Sequence, residues 1–225
     1  MPLRRTTIAS SDWIAGQNPH DWLSEAEQAV YGGWRSETRR TEWLAGRLAA
    51  KRLLRDELGT LPLSWAVERD GVAPALGGLH LPDTRLSLSH SGGWGAATLS
   101  DLRAEGSAGI DIQRIRPVHP GLCARVFSPD EREQIAAHFG AENSADGMLL
   151  LWALKEAAIK ARRLPWVQSL QSIEVRLTGA GEGEIRLPHE PLMPARYERL
   201  GDWWLARAVR IHPASFLGDP PETGR

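Results

Sequence analysis

The chain has 225 residues, room for one large core or two fused smaller ones, and its 27 Lys+Arg against 28 Asp+Glu leave a formal charge of −1, without the basic excess that non-specific nucleic-acid binding needs. A single cysteine, Cys123, excludes an intrachain disulfide, and its neighbours supply no Cys/His cluster at zinc-ligand spacing, while the longest apolar run, 148–154, is far short of a membrane span. Residues 1–16 lack the apolar core of a signal peptide, so the expectation is a soluble cytoplasmic protein that binds neither nucleic acid nor membrane, its ten tryptophans serving mainly the core.

In chain order, residues 37–58 predict a long helix, with Glu37 in its first turn, few β-branched residues and Gly59 as its stop. Strands follow at 63–68, 85–89 and 94–99, punctuated by Asp70-Gly71, Pro74, Pro82 and Gly92-Gly93. Gly106 marks a seam, dividing the chain into 1–105 and 106–225. Beyond it a strand covers 108–113 and stops near Pro117. Ser128-Pro129-Asp130-Glu131 then has the form of a capping box with proline at the first helical position. That helix ends at Gly140, a second covers 145–163, and strands at 173–177, 184–187 and 203–211 complete a β-rich end before a loose tail from His212. Helices interspersed with hairpin-like strand pairs favour an α+β fold in two similar-sized subdomains over a doubly wound sheet.

Four segments could carry chemistry. Period-two alternation on strand 108–113 puts Asp111 and Gln113 on one face and Ile110 and Ile112 on the other. That pair is either an oxygen platform for a hard cation such as Mg²⁺ or the solvated face of an ordinary strand. On helix 145–163, Leu149, Trp152, Ile159 and Lys160 fall within about 60° of Glu156. Glu156 and Lys160 are therefore either a surface i,i+4 bridge or a partly buried carboxylate that needs a cation. On helix 37–58, Arg40, Arg47, Lys51 and Arg55 share an arc of about 80° with Leu44, Leu48 and Leu58, as snorkelling stems or as a wall facing a multiply charged anion. The run Leu86-Ser87-Leu88-Ser89-His90 leads through Ser91 into Gly92-Gly93, placing hydroxyls and an imidazole beside glycines that a ligand can approach, or simply entering a hairpin turn. No Gly-x-Ser-x-Gly elbow, Walker loop or GxGxxG element stands in the sequence, which disfavours a serine hydrolase, a P-loop NTPase and a Rossmann enzyme.

Taken together in this order, the segments RRTEWLAGRLAAKRLL, LSLSHSGGW, GIDIQRIRP, FSPDE and WALKEAAIK resemble a 4′-phosphopantetheinyl transferase of the larger, surfactin-synthetase-activating class, over residues 36–163. The resemblance implies two pseudo-symmetric α+β halves with coenzyme A and Mg²⁺ between them. It also implies transfer of phosphopantetheine to a serine of an apo carrier protein, with release of adenosine 3′,5′-bisphosphate, by a monomer. By resemblance, Arg40, Arg47, Lys51, Ser89, His90, Lys155 and Lys160 face the phosphates of coenzyme A, His90 with Ser89 at the 3′-phosphate. The resemblance likewise implies that Asp111, Gln113 and Glu156 hold the metal, with Glu156 the candidate base and Lys160 and Asp111 in the catalytic set. Many relatives have glutamate where this chain has Gln113, and a lysine where it has Gly71-Val72-Ala73-Pro74, with Arg69 as a substitute contact. The stretch 117–127, with Val118, Leu122, Val126 and Phe127 among Arg114, Arg116 and Arg125, matches by resemblance the region that docks the carrier, or is a buried connector with solvated arginines; Cys123 within it reads as a packing residue. Two alternatives stand beside this reading: a Mg²⁺-dependent phosphodiesterase using Asp111 and Glu156 on water, and a non-catalytic carrier-binding module.

Overall fold

A computed structural model describes residues 6–70, 73–77, 84–103, 106–142, 144–164 and 169–211. The tail from His212 and the Gly71-Val72 turn lie outside them, as does the side chain of Arg69. The fold is α+β. In chain order its elements are β1 (Thr6–Ala9), α1 (Ser11–Ala15), α2 (Glu25–Gly33), α3 (Glu37–Leu58), β2 (Ala66–Asp70), β3 (Ala73–Gly77), β4 (Thr84–Ser91) and β5 (Trp94–Asp101). After these come β6 (Ser107–Arg114), α4 (Pro120–Val126), α5 (Pro129–Phe139), α6 (Ser144–Arg162), β7 (Glu174–Gly179), β8 (Glu182–Arg186), β9 (Met193–Leu200) and β10 (Trp203–Arg210). Among the described residues no helix is long and apolar enough to cross a membrane.

The long first helix has the bounds its sequence predicts, with Ser36 capping its N-terminus and Gly59 closing it at φ 64°, a left-handed conformation that glycine adopts without penalty. The expected strand 63–68 instead begins as a 3-10 turn, Pro62–Ser64, because Pro62 presets a helical φ, and pairing starts only at Ala66. The strand β9 has no counterpart in the sequence reading: Pro194 and the charged residues on its open face hide its alternation.

Three antiparallel strands in the order β1-β5-β4 form one sheet, covered by α3. Five in the order β6-β10-β9-β8-β7 form another, covered by α6. Each helix crosses its sheet over a glycine. A Cβ on Gly95 would lie 2.0 Å from the Ala45 carbonyl oxygen, and one on Gly109 would lie 2.0 Å from that of Ala157. Gly109→Ala is therefore expected to force α6 off β6, costing about 1–3 kcal/mol or more by thermal denaturation.

The same internal support recurs under each sheet. Ser24 and Glu27 make a capping box at the start of α2, and Glu27 Oε1 accepts the Val67 N–H at 2.9 Å while Oε2 meets Lys51 Nζ at 2.6 Å. Lys51 also donates to the carbonyls of Pro62 and Trp65. Ser128 and Glu131 repeat this at α5: Oε1 accepts the Val175 N–H at 2.9 Å, Oε2 meets Lys155 Nζ at 2.7 Å, and Lys155 donates to the carbonyls of Val126 and Leu170. Both lysines are fully buried, each with an aromatic ring beside it, Trp65 or Phe127. Saturated hydrogen bonding with an opposite charge is what makes such burial tolerable.

Serine hydroxyls stitch the two sheets together. Ser87 Oγ accepts the N–H of Ile110 at 3.1 Å, Ser91 Oγ that of Arg114 at 3.0 Å, and Ser100 Oγ that of Ala108 at 3.0 Å. Ala96, Ile110, Ile112 and Leu205 fill the space behind this seam. Trp94 stacks on Trp203 at 4.5 Å between ring centroids, and the Trp203 indole N–H donates to the Ser91 carbonyl.

Candidate active site at the sheet seam

The seam sets β4 against β6, with α3 packed on β4 and α6 on β6. Period-two alternation on β6 sends Ile110 and Ile112 into the apolar filling, so Asp111 emerges on the opposite face beside β4. Its carboxylate is nearly inaccessible to solvent and accepts from three side chains: Oδ1 from Ser89 Oγ and from Lys160 Nζ, both at 2.6 Å, and Oδ2 from Gln113 Nε2 at 3.0 Å. Asp111 and Gln113 thus share a face as their spacing predicts.

Glu156 and Lys160 lie one turn apart on α6, both half-buried. The ion pair that Lys160 makes is with Asp111. Burial pushes the Glu156 carboxyl above its ordinary range, the Asp111 carboxylate pushes it further, and Lys160 opposes both. Two neighbouring carboxylates with one ammonium leave an excess negative charge facing the seam. Among the described residues no three His, Cys, Asp or Glu side chains converge, so the oxygen donors here are two carboxylates and the Gln113 amide. An all-oxygen set with two carboxylates suits a hard divalent ion that keeps some of its waters.

Ser89 and His90 are neighbours on β4 and point to opposite sides. The Ser89 hydroxyl belongs with Asp111. His90, 40% exposed, turns toward α3, where its Nδ1 lies 3.0 Å from Oε2 of Glu42. Glu42 escaped the sequence reading. A signal was present in the small residues Ala45, Gly46 and Ala49 that follow it, since a Cβ on Gly46 would stand 3.2 Å from the His90 ring.

The cation arc on α3 divides by depth. Arg40 and Arg47 are half-buried, with their guanidinium groups over Tyr31 at 5.7 Å and Trp43 at 4.3 Å, and Arg55 snorkels over Trp22. Lys51 does not belong with them. It is enclosed by Glu27 and two carbonyls, so the expected contact with a phosphate is corrected: the ammonium has no route to a ligand. The same correction applies to Lys155, which points away from Glu156 into the core and spends its donors on Glu131, Val126 and Leu170. In the stretch 117–127, Val126 and Phe127 are core residues, only 2% and 1% exposed, and cannot form a docking surface. Val118 and Leu122 remain half-buried beside exposed Arg114, Arg116 and Arg125. Cys123 is a free thiol packed against the core, as expected.

Residues 107–208, the part that carries β6, α6 and the seam carboxylates, match the family model described as the 4′-phosphopantetheinyl transferase superfamily. Among curated proteins, the chain is 34% identical over 111 residues to the 4′-phosphopantetheinyl transferase psf-1 of Bacillus pumilus, covering 49% of this chain and 46% of the relative. It is 32% identical over 135 residues to a 4′-phosphopantetheinyl transferase of Bacillus subtilis, covering 59% and 58%, and 32% identical over 120 residues to Sfp of Bacillus subtilis strain 168, covering 52% and 51%. The chain spans about half the length of the curated relatives it matches. A solved structure of the Thermotoga maritima holo-[acyl-carrier-protein] synthase aligns with 45% of this chain and 61% of its own, at 16% identity and a TM-score of 0.38.

Proposed function

We propose, from the match of residues 107–208 to the model of the 4′-phosphopantetheinyl transferase superfamily, that this protein transfers 4′-phosphopantetheine from coenzyme A to a serine of an apo carrier protein, releasing adenosine 3′,5′-bisphosphate. The observation that carries the reading is the convergence of Asp111, Glu156 and Lys160 from β6 and α6 beside Ser89 of β4. In this reading the division of labour follows the chain, with residues 1–105 contributing phosphate contacts and 106–225 the metal site. The protein acts as a cytoplasmic monomer.

Asp111, Glu156 and Gln113 would hold Mg²⁺, and the donor set fits it. When bound, that ion supplies positive charge to the pyrophosphate oxygens. The carrier hydroxyl is a weak nucleophile at neutral pH, and Glu156, directly or through an ordered water, would accept its proton as the serine oxygen attacks the β-phosphorus. The new bond is O–P to the serine; the bond that breaks joins the same phosphorus to the bridging oxygen, which departs on the nucleotide. Lys160 keeps Asp111 oriented through its 2.6 Å contact and places a fixed cation near the developing charge. Arg40, Arg47 and His90 receive the remaining phosphates, Arg offering a planar fork suited to them. Arg114, Arg116 and Arg125 around Val118 and Leu122 would suit an acidic helical carrier.

Incubation with coenzyme A, Mg²⁺ and a panel of apo carriers from fatty-acid, polyketide and peptide synthesis, read by intact mass, tests this. At least one carrier is expected to gain a phosphopantetheine mass, only when both coenzyme A and Mg²⁺ are present. Nucleotide release without a carrier would instead identify a phosphodiesterase, and binding without a mass gain a non-catalytic module.

A further inference from the structure

The Glu42 carboxylate bridges two elements. Its Oε2 meets His90 Nδ1 at 3.0 Å, and its Oε1 accepts the Gly93 N–H at 3.3 Å. Gly92 and Gly93 form the two-residue turn between β4 and β5, with φ of 58° and 79°, the left-handed pair that a tight hairpin of this kind requires. Glu42 therefore fastens the turn and the imidazole together from α3. Burial pushes its carboxyl up, but the hydrogen bonds from His90 and from the Gly93 and Gly92 N–H groups outweigh that and hold it below its ordinary value, so it is an anion at neutral pH.

A carboxylate on one ring nitrogen decides what the other can do. With Nδ1–H donated to Glu42, Nε2 is left as the outward atom, and no described residue takes it. Only a ring carrying a proton on each nitrogen can donate to Glu42 and to an outside anion at once; in the neutral ring with Nδ1–H, Nε2 presents a lone pair and repels an anion. Glu42 is only 23% exposed and its two oxygens are already committed to the ring and the turn, so its own charge is turned away from the outward face of His90.

We propose that Glu42 is a positioning residue for phosphate recognition: by holding Nδ1 of His90 and the adjoining turn from α3, it orients the ring so that Nε2 can donate to a phosphate monoester. The inference rests on the reading that His90 meets the 3′-phosphate of coenzyme A, and adds to it the residue that makes His90 competent to do so.

Calorimetric binding of adenosine 3′,5′-bisphosphate and of adenosine 5′-monophosphate to the full chain, as wild type, Glu42→Gln, Glu42→Ala and His90→Ala, tests it. The wild type is expected to prefer the bisphosphate. Glu42→Ala should reduce that preference by about tenfold, the scale of losing a hydrogen bond to a charged group. Glu42→Gln, which keeps an acceptor for the ring and the turn, should reduce it less. In turnover the loss should fall on the KM for coenzyme A far more than on kcat, and should be absent from the KM for dephospho-coenzyme A. In ¹⁵N NMR the His90 Nδ1 should carry a proton in the wild type and lose that fixed assignment in Glu42→Ala. Tighter bisphosphate binding by Glu42→Ala would show that Glu42 competes with the phosphate, and equal loss for both nucleotides would show a merely structural role; either overturns the proposal. A wild type with no preference for the bisphosphate, matched by His90→Ala, removes the parent reading itself, whereas a preference that His90→Ala abolishes and Glu42→Ala leaves intact removes only the role of Glu42.

Discussion

Asp111→Asn is expected to lower phosphopantetheine transfer by about 100-fold or more, the scale for removing one element of a preorganised charge-stabilising site. Three side chains, Ser89, Lys160 and Gln113, converge on Asp111, which comes from the interior of β6, where the strand cannot shift without disturbing its pairing with β10. Asparagine keeps the shape and one acceptor for the Ser89 and Lys160 hydrogen bonds, so the fold should persist while the charge that would attract a cation is lost. Glu156→Gln should fall as far, since it removes the second of the two carboxylates that the described residues bring to the site. Single-turnover transfer to an apo carrier, followed by intact mass and accompanied by a thermal melt, separates the possibilities. Near-normal transfer by either variant at limiting Mg²⁺ would remove that residue from the metal set, and a collapsed melt would assign Asp111 to the fold instead.

Lys155→Ala is expected to destabilise the protein by about 3–5 kcal/mol, because it strands the Glu131 carboxylate in the core without its counter-charge. For a chain of this size that corresponds to a fall in Tm on the order of 10 °C. The double variant Lys155→Met with Glu131→Gln should recover much of the loss: the amide still accepts the Val175 N–H, and no charge remains buried. Lys51→Ala should behave in parallel, through Glu27 and Val67. The measurement also decides between two roles for Lys155. A support in the core lowers Tm and leaves the KM for coenzyme A of the surviving folded protein little changed, whereas a phosphate ligand would raise KM and leave Tm alone. Unchanged stability with a raised KM would restore Lys155 to the binding site.

Much of this molecule is written in local patterns. Ser36, the helix-forming run that follows it and Gly59 bound α3 by capping and backbone conformation alone, and Ser128 with Glu131 begin α5 by a capping box. Alternation along β6 places Asp111 and Gln113 on one face, and helical periodicity places Glu156 and Lys160 together on α6, because side-chain direction follows from the backbone repeat. Depth does not follow from it. Arg47 and Lys51 occupy the same arc of α3, yet Arg47 keeps its guanidinium over Trp43 near the surface while Lys51 is sealed by a glutamate far behind it in the chain and by carbonyls ahead of it. Lys155 and Glu156 are adjacent in sequence and face opposite fates for the same reason. Sequence periodicity determined which way each side chain points. Only the tertiary structure decided which charges are buried and paired and which stay nearer the surface, because the compensating groups, Glu27 for Lys51 and Glu131 for Lys155, arrive from distant segments, and the free energy of burying a charge is set by those partners rather than by its neighbours in the chain.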